Sequence, residues 1–185
     1  MIFRNTTLDG ACVIEPECHE DQRGFFARTW CMREFEQHGL VAGMVQASVS
    51  FNRKKGTLRG LHYQVPPSQE AKLVRCTAGA IYDVILDLRP KSSMFLQYFG
   101  VTLTAANHQG LYIPPGFAHG FQTLAEDTEV TYLMTDFYKP EYARGVRWND
   151  PAFGIVWPED ERIIIDRDAS YQDFGPEVIR EMEGI

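Results

Sequence analysis

"KLVRCTAGAIYDVILDLRPKSS", residues 72–93, holds two β-rich runs, each stopped by turn residues: "KLVRC" ends at "TAG" and "AIYDVILDL" at "RPKSS". The same punctuation runs outward in both directions. Upstream, "MVQASVSF" stops at "NRKKG" and is followed by the strand-like "TLRGLHYQ" (57–64). Downstream, "QYFGVTLT" stops at "AANHQG", and "GLYIPPGF", "GFQTL" and "EVTYLMTDFY" continue the series. Short strands at this spacing read as an antiparallel sandwich or barrel rather than alternating βαβ units. Helix is expected in two places only. "CMREFEQHG" (31–39) can form about two turns with Gly39 just past its end. "PEVIREMEG" (176–184) opens with Pro176, suited to a first helical turn. The expected fold class is all-β with these short helical additions.

Outside the strand series, no repeat, low-complexity tract or Pro/Gly/Ser linker divides the chain, and 185 residues suit one domain spanning 1–185. Hydrophobic residues make up 44% and charged residues 23%, as in an ordinary globular protein. With 25 acidic against 18 basic side chains the formal charge is −7. That balance speaks against sequence-independent nucleic-acid binding, which needs an excess of cations to replace counterions. A small anionic ligand remains compatible, because a pocket can be locally basic. The opening "MIFRNTTLDG" has no apolar h-region, and no run approaches the ~18 apolar residues of a membrane span. Cys12, Cys18, Cys31 and Cys76 show no CxxC spacing, so reduced thiols in the cytoplasm are expected.

Two histidines carry the chemical interest. His62 lies in "TLRGLHYQ", where it can be a metal ligand, a proton-transfer base or filler on the barrel wall. "IPPGFAHGF" (113–121) gives P-x-G-x-x-H from Pro114, Gly116 and His119, a turn that delivers a histidine to the next strand. At this point the chain resembles the cupin superfamily, whose double-stranded jelly roll would close such a strand set. The first cupin motif supplies H-x-H followed by a glutamate. Here "GLHYQVPPSQE" has one histidine, with Gln64 where the second would stand. Glutamine is a poor ligand for a divalent transition metal, so the ligand set is incomplete and no metal is expected.

The similarity is closer than superfamily level. "RGFFARTW", "GTLRGLHYQ", "KLVRCTAGAIYDVILDLR", "IPPGFAHGFQTL" and "RGVRWNDPAFGIVWP" occur in order, and over about residues 1–175 the chain resembles the dTDP-4-dehydrorhamnose 3,5-epimerase family. The resemblance implies a cofactor-free cupin acting on a nucleotide-linked 4-keto-6-deoxy sugar, inverting carbons beside the ketone in deoxysugar biosynthesis. It also implies a homodimer in which the segment bearing Arg23 completes the neighbour's site.

A carbon acid beside a ketone needs a base that titrates near working pH, and His62 matches the family's base. The carboxylate that orients it matches Asp168, with Asp166 two residues away as the alternative. Tyr132 matches the catalytic tyrosine that serves the opposite face. Lys72 matches the lysine near the keto oxygen, where a fixed cation stabilises developing charge. Residues 72, 74 and 76 alternate onto one face, so this lysine shares a side with Val74 and Cys76. Arg23 and Arg59 match pyrophosphate contacts, suited to the bidentate guanidinium fork. Tyr138 matches a residue that stacks on the nucleotide base, and Gln46 and His119 match further substrate contacts. Arg59 and His62 differ in strand parity, so a regular strand would send them to opposite faces. A bulge at Gly60 would bring them to one pocket.

Three positions depart from the common pattern: Arg28 and Ala143 stand where glutamate is usual, and Ser48 where asparagine is. Arg28 is expected to add charge near the anion site. The alternatives are a mono-epimerase at one carbon of a related sugar, a metal-dependent cupin, and a cupin that only binds nucleotide sugars.

Overall fold

A computed structural model describes residues 1–183. The elements in chain order are β1 (Ile2–Asn5), β2 (Cys12–Glu15), β3 (His19–Asp21), β4 (Gly24–Phe26), α1 (Met32–Gln37), β5 (Gln46–Asn52), β6 (Leu58–Gln64), β7 (Lys72–Ala78), β8 (Ala80–Asp87), β9 (Tyr98–Thr104), β10 (Gly110–Ile113), β11 (Phe117–Thr123), β12 (Thr128–Met134), β13 (Ala143–Gly145), α2 (Asp166–Ala169) and α3 (Pro176–Met182). One sheet has the order β1-β2-β10-β7-β12-β5, a second β13-β6-β11-β8-β9, and β3–β4 forms a separate hairpin. Every strand pair is antiparallel. This is the antiparallel all-β sandwich expected from the strand spacing, closed as the jelly roll that the resemblance implied.

The two large sheets face each other across an apolar interior. Val74 and Cys76 of β7, Leu111 of β10 and Val130 of β12 meet Ile81 and Ile85 of β8 and Phe121 of β11. Residues 72, 74 and 76 do share a face, while Leu73 points outward to pack beneath Phe35 of α1. The outer face of the five-stranded sheet is covered too. Leu58, Leu61 and Tyr63 of β6 lie under Phe153, Trp157, Val178 and Met182. Because β8 is covered on both sides, its sequence is a near-continuous apolar run.

The expected helices form at Met32–Gln37 and Pro176–Met182. Gly39 takes the left-handed conformation just past α1, at φ +71°. Gly184, the last residue of the expected C-terminal helix, lies outside the described residues. The four-residue α2 has no counterpart among the expectations, because one turn leaves no periodic trace. No helix among the described residues is long and apolar enough to cross a membrane. All four cysteines are free.

A register shift in β6 shapes the interior at one end of the sandwich. His119 of β11 faces His62 of β6, but Phe121 then faces Arg59, so two residues of β6 oppose one of β11. Gly60 sits in this bulge at φ +115°, and a Cβ there would come within 2.7 Å of Gly120 Cα and His119 O. Only glycine allows both the conformation and the close approach of the two strands. The bulge flips parity, so Arg59 and His62 line the same cavity.

Candidate active site

At one end of the sandwich interior, polar side chains replace apolar ones around a cavity of about 710 Å³. The change occurs along single strands. On β7, Val74 and Cys76 stay in the core and Lys72 reaches the cavity. On β12, Val130 stays in the core and Tyr132 reaches it. His62 and Arg59 come from the five-stranded sheet, whereas Lys72, Tyr132 and Gln46 come from the six-stranded one. The histidine and the tyrosine therefore stand on opposite walls.

His62 is held from behind. Its Nε2 donates to Oδ1 of Asp168 on α2 at 2.9 Å, and Asp168 is 1% exposed. The Gly60 N–H donates to Oδ2 of the same carboxylate at 3.0 Å, and Arg167 Nε to Oδ1 at 3.1 Å. Burial works against the charge of Asp168. The bonds from His62, Gly60 and Arg167 outweigh it and hold the carboxyl at about 2. Between the two candidate aspartates the geometry favours Asp168, since Asp166 is exposed at the start of α2. With Nε2 donating, Nδ1 carries the lone pair of the neutral ring.

Opposite, burial first and then the Asp83 carboxylate push the Tyr132 phenol well above its ordinary value, against smaller pulls from Arg59 and Ser50. Tyr132 is thus a protonated donor at neutral pH. Lys72 Nζ pairs with Glu70 Oε1 at 2.9 Å, and Arg59 Nε donates to Asn52 Oδ1 at 2.8 Å. His119 Nε2 donates to the fully buried Asp83 at 2.7 Å, and its ring stands edge-on to Tyr132 with centroids 6.1 Å apart. Gln46 Oε1 accepts the Tyr138 N–H at 3.1 Å, seating that aromatic at the rim.

Of the nine residues singled out from sequence, seven line this cavity and Asp168 lies behind His62. Arg23 is elsewhere: it sits at the tip of the exposed β3–β4 hairpin, bonded to Asp21. Of the departing positions, Ser48 and Ala143 line the cavity. Arg28 does not, because its Nη1 donates to Glu34 of α1 at 2.7 Å.

Four further residues belong to the site. Arg167 brings Nη2 within 3.3 Å of His62 Nε2. Tyr171 packs against bare Gly145 and stands edge-on to His62, 6.2 Å between centroids. Glu70 and Asp83 are the carboxylates beside Lys72 and His119. Asp83 left a signal, since strand alternation in "AIYDVILDL" puts a carboxylate between Ile81 and Ile85. Arg167 and Tyr171 left none, because a distant segment carries them in.

A family model described as dTDP-4-dehydrorhamnose 3,5-epimerase matches residues 5–175. Over 173 residues the chain is 42% identical to the dTDP-4-dehydrorhamnose 3,5-epimerase of Methanothermobacter thermautotrophicus, covering 92% of each chain. It superposes with a TM-score of 0.92 and 37% identity on the dTDP-4-dehydrorhamnose 3,5-epimerase of Elizabethkingia anophelis, covering 94% of this chain and 96% of that one. It is also similar to a dTDP-6-deoxy-D-glucose-3,5-epimerase from Legionella pneumophila, solved in complex with dTDP-4-keto-L-rhamnose. There the TM-score is 0.89 and the identity 35%, over 96% of each chain.

Proposed function

The chain belongs to the dTDP-4-dehydrorhamnose 3,5-epimerase family, and from that premise we propose that it inverts C3 and C5 of a dTDP-linked 4-keto-6-deoxy sugar with His62 as base and Tyr132 as acid. The observation that carries the reading is their placement on opposite sheets around one cavity. Inversion requires a proton to leave one face of the carbon and another to arrive on the other. The complex of the Legionella relative with dTDP-4-keto-L-rhamnose supports the substrate.

In this mechanism Nδ1 of His62 takes the proton beside the ketone, and Asp168 steadies the imidazolium that results. The electron pair moves onto the ketone oxygen, where the Lys72 ammonium meets the developing charge in a largely enclosed site. Tyr132 returns a proton from the opposite wall. Arg59, with Arg167 at the rim, binds the diphosphate, while Tyr138 stacks on the base. Gln46 seats Tyr138, and His119 contacts the sugar.

The site is completed in a homodimer, with Arg23 of one protomer reaching its partner's cavity. What supports this is the hairpin itself, which projects Arg23 into solvent and exposes Phe25 and Phe26, the latter to 74%. Reduced thiols and the substrate's nucleotide handle fit a cytoplasmic enzyme.

The test is deuterium uptake from D2O into dTDP-4-keto-6-deoxyglucose, followed by NMR at C3 and C5 beside a His62→Ala control. Uptake at both carbons, lost in the variant, is expected. Uptake at one carbon alone would make the protein a mono-epimerase. No uptake by the folded wild type would remove the reading.

A further inference from the structure

Gln64, standing where a cupin would carry its second ligand histidine, takes no part in the proton transfers. Yet every polar atom of this buried side chain is engaged. Oε1 accepts the Lys139 N–H at 2.9 Å, and Nε2 donates to Glu70 Oε2 at 3.1 Å and to Phe137 O at 3.4 Å. The other oxygen of Glu70 accepts from Lys72 Nζ at 2.9 Å. A continuous chain of hydrogen bonds thus runs from the backbone on either side of Tyr138, through one amide, to the ammonium in the cavity.

From this chain we propose that Gln64 is a positioning residue that couples the nucleotide end of the cavity to the end where the enolate forms. The inference rests on the roles proposed for Lys72 and Tyr138. Glu70 and Lys72 lie side by side in a nearly closed part of the site, so the direction of the Glu70 carboxylate sets that of the ammonium. Gln64 fixes that carboxylate from one side. Its other atoms fix the loop at 137–139, which is also tied to the segment before Glu70 through Ser68 Oγ donating to Asp136 at 2.7 Å. An amide engaged at both ends cannot follow a shift of the loop without pulling on Glu70. Electrostatic stabilisation depends steeply on where the cation sits, so a small displacement of Lys72 reaches the rate.

The test is a mutant cycle of Gln64→Met, Glu70→Ala and the double variant, measuring kcat and dTDP affinity, with thermal unfolding as the check on folding. If Gln64 acts on Lys72 through Glu70, each single variant lowers kcat about tenfold and the double variant lowers it no further. The affinity for dTDP falls about fivefold in Gln64→Met and in the double variant and stays at the wild-type value in Glu70→Ala. Multiplying kcat losses, or unchanged dTDP affinity in Gln64→Met, would overturn the proposal. Gln64→Glu is a second route. It keeps an oxygen for the Lys139 N–H, gives up the longer bond to Phe137 O and sets a carboxylate against Glu70, so at pH 8 it loses less dTDP affinity than Gln64→Met and still loses kcat. Equal loss of both would contradict the coupling. Wild-type uptake in D2O separates the two levels. Its absence strikes the substrate reading, whereas wild-type uptake together with wild-type behaviour in Gln64→Met strikes the coupling alone.

Discussion

Two histidine–aspartate pairs lie side by side across β6 and β11, where His62 and His119 are direct cross-strand partners. Both join Nε2 to an aspartate Oδ1, at 2.9 Å for His62–Asp168 and 2.7 Å for His119–Asp83. Their surroundings differ. The His62 side chain is 34% exposed, against 6% for His119. Asp168 arrives from α2 and gathers donors from His62, Gly60 and Arg167. Asp83 sits in β8 between apolar neighbours, and its Oδ2 has no partner among the described residues. One ring is open in front and supported behind, which suits a group that must gain and lose a proton. The other is closed in, which suits a fixed piece of the cavity wall. In the proposed mechanism the His–Asp motif alone does not make a base; access and support of the carboxylate do.

The strongest way to break this contrast is to neutralise each aspartate in turn. Asp168→Asn should lower kcat by about three orders of magnitude, because the amide favours the wrong tautomer and no longer stabilises the imidazolium. Affinity for dTDP should stay near wild type. Asp83→Asn should change kcat by less than about tenfold, the scale of an indirect effect. Steady-state kinetics on the two folded variants decides; comparable losses would mean that both pairs take part in proton transfer.

Stability should reverse the order. His119→Ala leaves a buried carboxyl with neither of its oxygens partnered, and should cost about 3–5 kcal/mol in urea unfolding. Replacing both members, His119→Leu with Asp83→Val, should cost less than that single change, since no buried polar group is stranded. His62→Ala should cost about 1 kcal/mol or less, because Asp168 keeps Gly60 and Arg167 as partners. A double variant weaker than His119→Ala would show that the buried pair is a net stabiliser.

The asymmetry between the pairs also marks what could be read from the sequence. The strand series, the turn at Pro114–Gly116 and the lysine at the start of β7 are local patterns, and the sheets follow them. The bulge could be inferred because Arg59 and His62 conflict in parity with a glycine between them. Asp168 could be placed only by resemblance, with Asp166 as a rival, because its burial depends on α2 packing against β6, more than 100 residues earlier. Arg167 and Tyr171 arrive by the same route and left no periodic trace. Gln64 was visible as a departure from a metal-ligand pattern, but what it does instead with Glu70 appears only when the 137–139 loop is folded over them.

A third comparison sets the two walls against each other. Tyr132→Phe removes the proposed proton donor of the six-stranded sheet and leaves His62 and its carboxylate intact. Deuterium should still exchange into the substrate through His62, while net inversion falls about a hundredfold. NMR of recovered substrate and product separates the two quantities. Loss of both together would place the tyrosine in the first proton transfer.

The smallest expected effect lies in the acid limb of stability. Asp168 is held at about 2, below the ordinary 3.8. A carboxyl with a depressed folded pKa stabilises the protein in full above the unfolded value, and that contribution is lost as pH falls through the folded one. The window here runs from about pH 4 down to about pH 2, and the shift corresponds to about 2 kcal/mol. Wild type should therefore lose about that much in urea unfolding across the window beyond what Asp168→Asn loses. If Asp168→Asn instead retains the full acid limb, the donors around that carboxylate are not what favours its charge, and the distinction between the supported pair and the enclosed pair fails at its physical root.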